Sequence, residues 1–174
     1  MLKKILIALA VIVVVFVAVV ALQPSEFRVE RTATISALAP DVFEQVNNFH
    51  NWEAWSPWAK LDPAAKVSFE GPSSAGAVFK WVGNDKVGEG KMTLTESRPN
   101  DLVKIKVDFV KPFAGSNDSA LPEGDQTAVT WTVSGSSELH RQGVLLRDER
   151  KKMIADTMDQ GLANMKSVVE SASR

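Results

Sequence analysis

Side chains able to do acid–base, nucleophilic or metal chemistry are few in this chain and scattered. His50 and His140 are its two histidines, and neither has a second histidine or a patterned carboxylate at metal-ligand spacing. A zinc site needs three or four convergent protein ligands, and none can be assembled, so both histidines read as ordinary polar or capping residues. Cysteine is absent, which removes disulfides, thiol catalysis and thiolate metal sites together. No Gly-x-Ser-x-Gly occurs, and serine, histidine and aspartate do not fall in suggestive spacing, so nucleophilic hydrolysis has no support. Gly88-Glu89-Gly90-Lys91 lacks the spacing and the following helix of a phosphate loop; it reads as a strand with close-packed glycines. Glu53, Glu70 and Glu89 remain as the acids nearest to apolar surroundings. Buried, one of them would have a raised pKa and could act as a general acid or base. Tyrosine is absent, and the paired acid and base that a cyclase would use are not visible. No cofactor or metal is expected.

Apolar recognition is better represented. Three of the five tryptophans fall in Trp52-Glu53-Ala54-Trp55-Ser56-Pro57-Trp58. An indole has a large apolar surface and a single N–H donor, so such a cluster must be packed, partnered or ligand-facing. It reads either as the wall or lid of a cavity or as the seal of a core, and both hold if one ring faces inward. Trp55, Phe79, Trp81, Ile105, Phe109, Trp131, Met158 and Met165 form the candidate ligand-lining set, at inward positions of the predicted elements. Aromatic and methionine side chains suit an adaptable apolar pocket. A solid core presents the same pattern, and the two readings stay open here.

These residues need elements to hold them. Phe27, Val29, Arg31, Ala33 and Ile35 alternate with Arg28, Glu30, Thr32 and Thr34, a half-buried strand. Pro40 fits the first turn of a short helix whose apolar face is Val42, Phe43 and Val46. Pro57 and Pro63 predict a broken helix or ordered loop around the tryptophans. Strands are then expected over 67–69, 77–82, 86–97, 102–110 and 127–133, with Gly83-Asn84-Asp85 as a turn. Pro112 to Asp125, rich in Gly, Ser, Asn, Asp and Pro, reads as loop; Asn117-Asp118-Ser119 within it matches a glycosylation sequon. Ile154, Met158, Leu162, Met165 and Val169 recur at helical spacing, predicting an amphipathic helix that begins between 144 and 148 and ends near Ala172. Antiparallel strands with one apolar face plus one long amphipathic helix give an α+β fold in which a curved sheet wraps the helix.

The first 22 residues stand apart. Ile5 to Leu22 has no charge, polar side chain, glycine or proline, and about 18 such residues suffice to cross a bilayer as a helix. Lys3 and Lys4 precede it, which places the N-terminus in the cytoplasm and the rest of the chain outside. A cleaved signal peptide and a buried core helix are the alternatives. Residues 23–26 form a short juncture, and 27–174 form one domain. Taking Lys3 and Lys4 from 20 basic residues leaves 18 against 21 acidic ones. That surface has no basic stripe for a phosphate backbone, so no nucleic-acid partner is expected.

Trp52-x-x-Trp55-Ser56-Pro57-Trp58 is followed in order by Asp62-Pro63, Gly71-Pro72, Gly76, Trp81-x-Gly83, Gly88-x-Gly90, Pro112-Phe113, Val129-Thr130-Trp131 and Gly161-Leu162-x-Asn164-Met165-Lys166. This series resembles the polyketide cyclase/dehydrase-like branch of the START-like (SRPBCC, helix-grip) superfamily, which includes membrane-anchored bacterial members with one N-terminal helix. The resemblance runs from about Phe27 to Glu170. It implies a cavity between sheet and C-terminal helix for a hydrophobic or amphipathic small molecule or lipid, and it carries over no shared catalytic set. An enzyme of the cyclase or dehydratase kind and an envelope scaffold with a solid interior are the alternatives. One departure stands out: a further full strand is expected after Pro112-Phe113, where Ala114 to Asp125 offers only turn-forming residues. A short, weak strand and a looser sheet edge are the expectation there.

Overall fold

The computed structural model describes residues 26–111, 114–120, 127–136 and 145–172, with a few positions before them. Seven strands form one antiparallel sheet: β1 (Glu26–Ile35), β2 (Lys66–Glu70), β3 (Val78–Val82), β4 (Glu89–Arg98), β5 (Leu102–Lys111), β6 (Ala114–Ala120) and β7 (Thr127–Ser136), in the spatial order β1-β7-β6-β5-β4-β3-β2. It is accompanied by the helices α1 (Ala39–Asn47), α2 (Trp52–Trp55), α3 (Pro57–Leu61) and α4 (Leu145–Ala172). The predicted α+β architecture, a curved sheet with a long C-terminal helix, is the one observed. Two register shifts, between Glu89 and Gly90 and between Leu94 and Glu96, bend β4 against β5.

Alternation places the strands as their sequences require. Val29 and Ile35 of β1, Val103, Ile105 and Val107 of β5, and Val129 and Trp131 of β7 turn inward and are buried. From α4 the stripe Ala155, Met158, Leu162, Met165 and Val169 meets them. Polar contacts fix how α4 lies along β1. Arg31 Nε donates to Asp159 Oδ2 at 3.2 Å, Lys166 Nζ to the Thr34 carbonyl at 2.9 Å, and the Ser36 N–H to Glu170 Oε1 at 2.8 Å. Partners advance together along both elements, so strand and helix run in the same direction.

The expectation of a weak strand and a loose edge after Pro112 is corrected. β6 pairs with β5 from Ala114↔Asp108 to Ala120↔Leu102 and with β7 from Ser116↔Ser134 to Ala120↔Thr130. It is an interior strand, and the edges are β1 and β2. A ladder to β5 along its whole length and one to β7 from Ser116 to Ala120 take up its backbone donors and acceptors there, which outweighs the poor strand propensity of Gly-Ser-Asn-Asp-Ser. Lys86 to Gly88, expected at the start of β4, belong to the turn before it.

Of the expected span 5–22, only Leu9, Val11, Ile12, Val14 and Val15 are described. They are helical and more than half exposed; the rest lies outside the described residues, as does His140. Among the described residues no helix is long and apolar enough to cross a membrane.

Candidate functional site

The concave face of the sheet divides into two halves. Under α4, on the β1–β7 side, the interior is sealed. Trp55, Trp131, Met158 and Met165 of the candidate set are buried there, and Ile105, on β5, is buried as well. Trp52 Nε1 donates to the Val46 carbonyl at 3.0 Å and Trp55 Nε1 to the Gln45 carbonyl at 3.2 Å. Both indoles therefore spend their only donor on the backbone of α1. The tryptophan helices are tied to α4 by Asn164, whose Nδ2 donates to the Trp55 carbonyl at 3.0 Å. Gly161 lets α4 come close, since a Cβ there would sit 2.8 Å from Trp131 Cζ3 and 3.3 Å from Pro57 Cδ.

On the β2–β5 side Phe79, Trp81 and Phe109 are only half-buried, together with Met92. The register puts Val67, Trp81, Gly90 and Phe109 in one cross-strand row and Phe69, Phe79, Met92 and Val107 in the next. Trp81 stacks on Phe79 with ring centroids 5.9 Å apart and meets Phe109 edge-on at 5.4 Å. Its Nε1 donates to the Val87 carbonyl at 3.0 Å, so it too presents carbon to whatever lies above it. Phe49 joins the halves, 6.0 Å from Phe79 and 5.4 Å from Trp52. Ring contacts then run unbroken from Trp58 through Trp131, Trp55, Trp52, Phe49, Phe79 and Trp81 to Phe109.

Phe49, Phe69 and Met92 belong to this surface and are missing from the candidate set. Val67 and Phe69 carried a period-two signal, but a run of three residues was too short to assign a face. His50 stacks on Phe69 at 4.0 Å, and its backbone N–H donates to Asn48 Oδ1; both keep it at the rim.

The acids considered for catalysis are elsewhere. Glu53, Glu70 and Glu89 are exposed, and Glu70 pairs with Lys80 on the convex side. The carboxyls held below their usual range are also peripheral: Glu30 by its hydrogen bond from Arg28, Glu96 by that from Lys104, and Glu170 by the Ser36 N–H. Inside, Ser97 Oγ donates to Asn47 Oδ1 at 2.6 Å and Asn47 Nδ2 to the Ser73 carbonyl at 3.1 Å. Every buried polar side-chain atom among the described residues has a partner. What this face can do is hold apolar surface. A separate groove of about 570 Å³ lies outside the sheet, between α1 and the end of α4, and is lined by Ala37, Leu38, Asp41, Glu44, Gln45, Val169 and Ala172.

Comparison with known proteins agrees with this geometry. A family model described as polyketide cyclase / dehydrase and lipid transport matches residues 26–170. Among solved structures, a protein of Thermus thermophilus superposes with a TM-score of 0.64 at 17% identity, over 85% of this chain and 100% of that one. Norcoclaurine synthase from Thalictrum flavum, as a point mutant with a transition-state analogue, superposes with a TM-score of 0.62 at 10% identity, over 88% and 99%. The di-domain ARO/CYC protein BexL of the BE-7585A biosynthetic pathway gives 0.62 at 17% identity, over 87% of this chain and 52% of that one. At these identities the likeness is one of fold. A sequence comparison with curated proteins gives no match.

Proposed function

The chain belongs to the polyketide cyclase / dehydrase and lipid transport family, and from that premise we propose that it is a membrane-tethered domain binding a hydrophobic or amphipathic small molecule on the aromatic half of its concave face. The observation that carries this is the half-buried tier Phe79, Trp81, Met92 and Phe109, apolar side chains that described residues leave partly uncovered. A closed core would bury them, because each large apolar side chain gains about 1.5–3 kcal/mol on full burial. The tether is residues 5–22. At 3.6 residues per turn Leu9, Val11, Ile12, Val14 and Val15 spread over about 220° of the helix surface, all are exposed, and no residue from Ile5 to Leu22 is polar. A helix apolar all round needs an apolar surrounding. Lys3 and Lys4 hold its start in the cytoplasm, which leaves the domain outside.

Binding is favoured over a cyclase or dehydratase reaction because Glu53, Glu70 and Glu89 all turn to solvent. It is favoured over a scaffold because the described residues leave Phe79, Trp81, Met92 and Phe109 of the β2–β5 half partly uncovered. The test is native mass spectrometry of the full chain released from mild detergent, with titration of a fluorescent fatty acid. Co-purified lipid-like mass or saturable binding is expected. Chain that is repeatedly empty and binds no probe would sink the proposal.

A further inference from the structure

The register locates the aromatic tier relative to the point where the chain enters the sheet. One cross-strand row runs through all seven strands: Arg28, Ser134, Ser116, Lys106, Thr93, Val78 and Glu70. Glu26 lies two residues beyond that row, toward the start of β1. Val67, Trp81, Gly90 and Phe109 lie three residues beyond it on the same side. The start of β2 (Lys66 to Ser68) and the end of β3 (Lys80 to Val82) are therefore at or past the level at which the N-terminal segment joins the domain, while the connection between the two strands lies on the other side of the row. Only Gln23, Pro24 and Ser25 separate residue 22 from β1, a reach of at most about 10 Å at 3.3–3.6 Å per residue.

The surface at that end suits a bilayer. Leu61 is 47% exposed, and Val67 and Val82 are each 51% exposed. Lys60, Lys66 and Lys86 are exposed beside them, with Asp85 and Glu89 on the same edge. Leu61 is held against the β3–β4 turn, where the Asn84 N–H donates to Asp62 Oδ2 at 2.7 Å. Apolar side chains interspersed with lysines are the composition that rests in a lipid headgroup layer. The opposite end, with the β4–β5 turn at Asn100 and Asp101, lies most of the length of β4 away.

We propose that the domain stands on the membrane on its β2–β3 edge, with Leu61, Val67 and Val82 in the headgroup layer and the Trp81–Phe109 end of the aromatic tier opening onto the bilayer. The occupant it takes is then a lipid drawn from the leaflet below it, not a solute from the bulk. This rests on the tether and on the binding reading above, and adds to them an orientation and a source.

The absence of cysteine makes the test direct, because any introduced thiol is unique. Full-length chain in liposomes, labelled with an environment-sensitive dye at Val67→Cys or Asp85→Cys on the β2–β3 edge, is compared with Asp41→Cys or Asp101→Cys at the far end. The vesicles contain phospholipid with a nitroxide at the headgroup or high on the acyl chain. Loss of most of the fluorescence at positions 67 and 85, and little at 41 and 101, is expected. Equal quenching at both ends, in chain that floats with the vesicles, overturns the orientation alone. Chain that fails to float overturns the tether and this inference with it. Fatty-acid binding by floated chain reports separately on the binding reading. Two labels at each end guard against a variant that does not fold.

Discussion

The Trp81 ring lies across Gly90 on the neighbouring strand, so closely that a Cβ on Gly90 would fall 2.6 Å from Trp81 Cζ2 and 2.8 Å from the Asp108 carbonyl oxygen. Gly90 is thus the seat that lets an indole bridge from β3 to Phe109 on β5. Gly90→Ala should destabilise the domain by about 1–3 kcal/mol, the usual cost of overpacking, and alter Trp81 fluorescence. Adding Trp81→Leu removes the ring atoms in conflict. Denaturant unfolding of both single variants and the pair should then show a double variant less destabilised than the sum. Strict additivity would mean that the seat is not what residue 90 provides.

Gly161 tests two opposed effects on α4. In an open helix, glycine to alanine gains roughly 1 kcal/mol. Here the new Cβ would sit 2.8 Å from Trp131 Cζ3, and Trp131 is flanked by Trp55 at 6.0 Å and Trp58 at 5.9 Å, so the ring has little room to retreat. Overpacking of about 1–3 kcal/mol should outweigh the propensity gain, and Gly161→Ala should lower Tm. A raised Tm would show that the tryptophan layer is looser than its geometry indicates.

Most of the architecture was legible because periodicity is a local signal. β1, β5 and α4 announced their buried faces through spacing alone, and their boundaries fell close to those found. β6 was illegible for a physical reason: Ala114 to Ala120 has little strand propensity of its own, and two neighbouring ladders hold it in place. The site was half legible. Spacing marked Trp81, Phe109 and Trp131 as inward, but it does not distinguish the sealed half under α4 from the half-open one, which depends on where α4 lies along β1. Phe49 and Phe69, central to the ring network, sit in segments too short to show a period.

The two halves should respond differently to truncation. Trp55 is buried and Trp81 half-exposed. Trp55→Ala should cost about 3–5 kcal/mol of stability, as for a large aromatic removed from a core. Trp81→Ala should cost less stability but lose most of the fatty-acid affinity, about tenfold if the ring contributes near 1.4 kcal/mol to the bound state. Urea unfolding and probe titration on the same preparations separate the two. Unchanged affinity in Trp81→Ala would remove this tier from the binding surface.

Glu170 ties the end of α4 to the start of the β1–α1 connection, and its carboxyl is held below its usual range, chiefly by the Ser36 N–H and further by Lys166. A carboxyl with a lower pKa in the folded state stabilises fully above its unfolded pKa, and that contribution disappears as pH falls through the folded one. The unfolded value for glutamate is about 4.3, so the contribution should be complete at pH 7 and fade below about pH 4. Glu170→Gln keeps an acceptor oxygen for Ser36 but loses the charge. The variant should melt below the parent at pH 7, and the gap should narrow as acid is added. Glu30 and Glu96 are depressed as well, so the parent will itself weaken in that range. The informative quantity is the difference between the two melting curves at each pH. A gap that stays constant from pH 7 to pH 3 would mean that the Ser36–Glu170 contact contributes through shape, not charge.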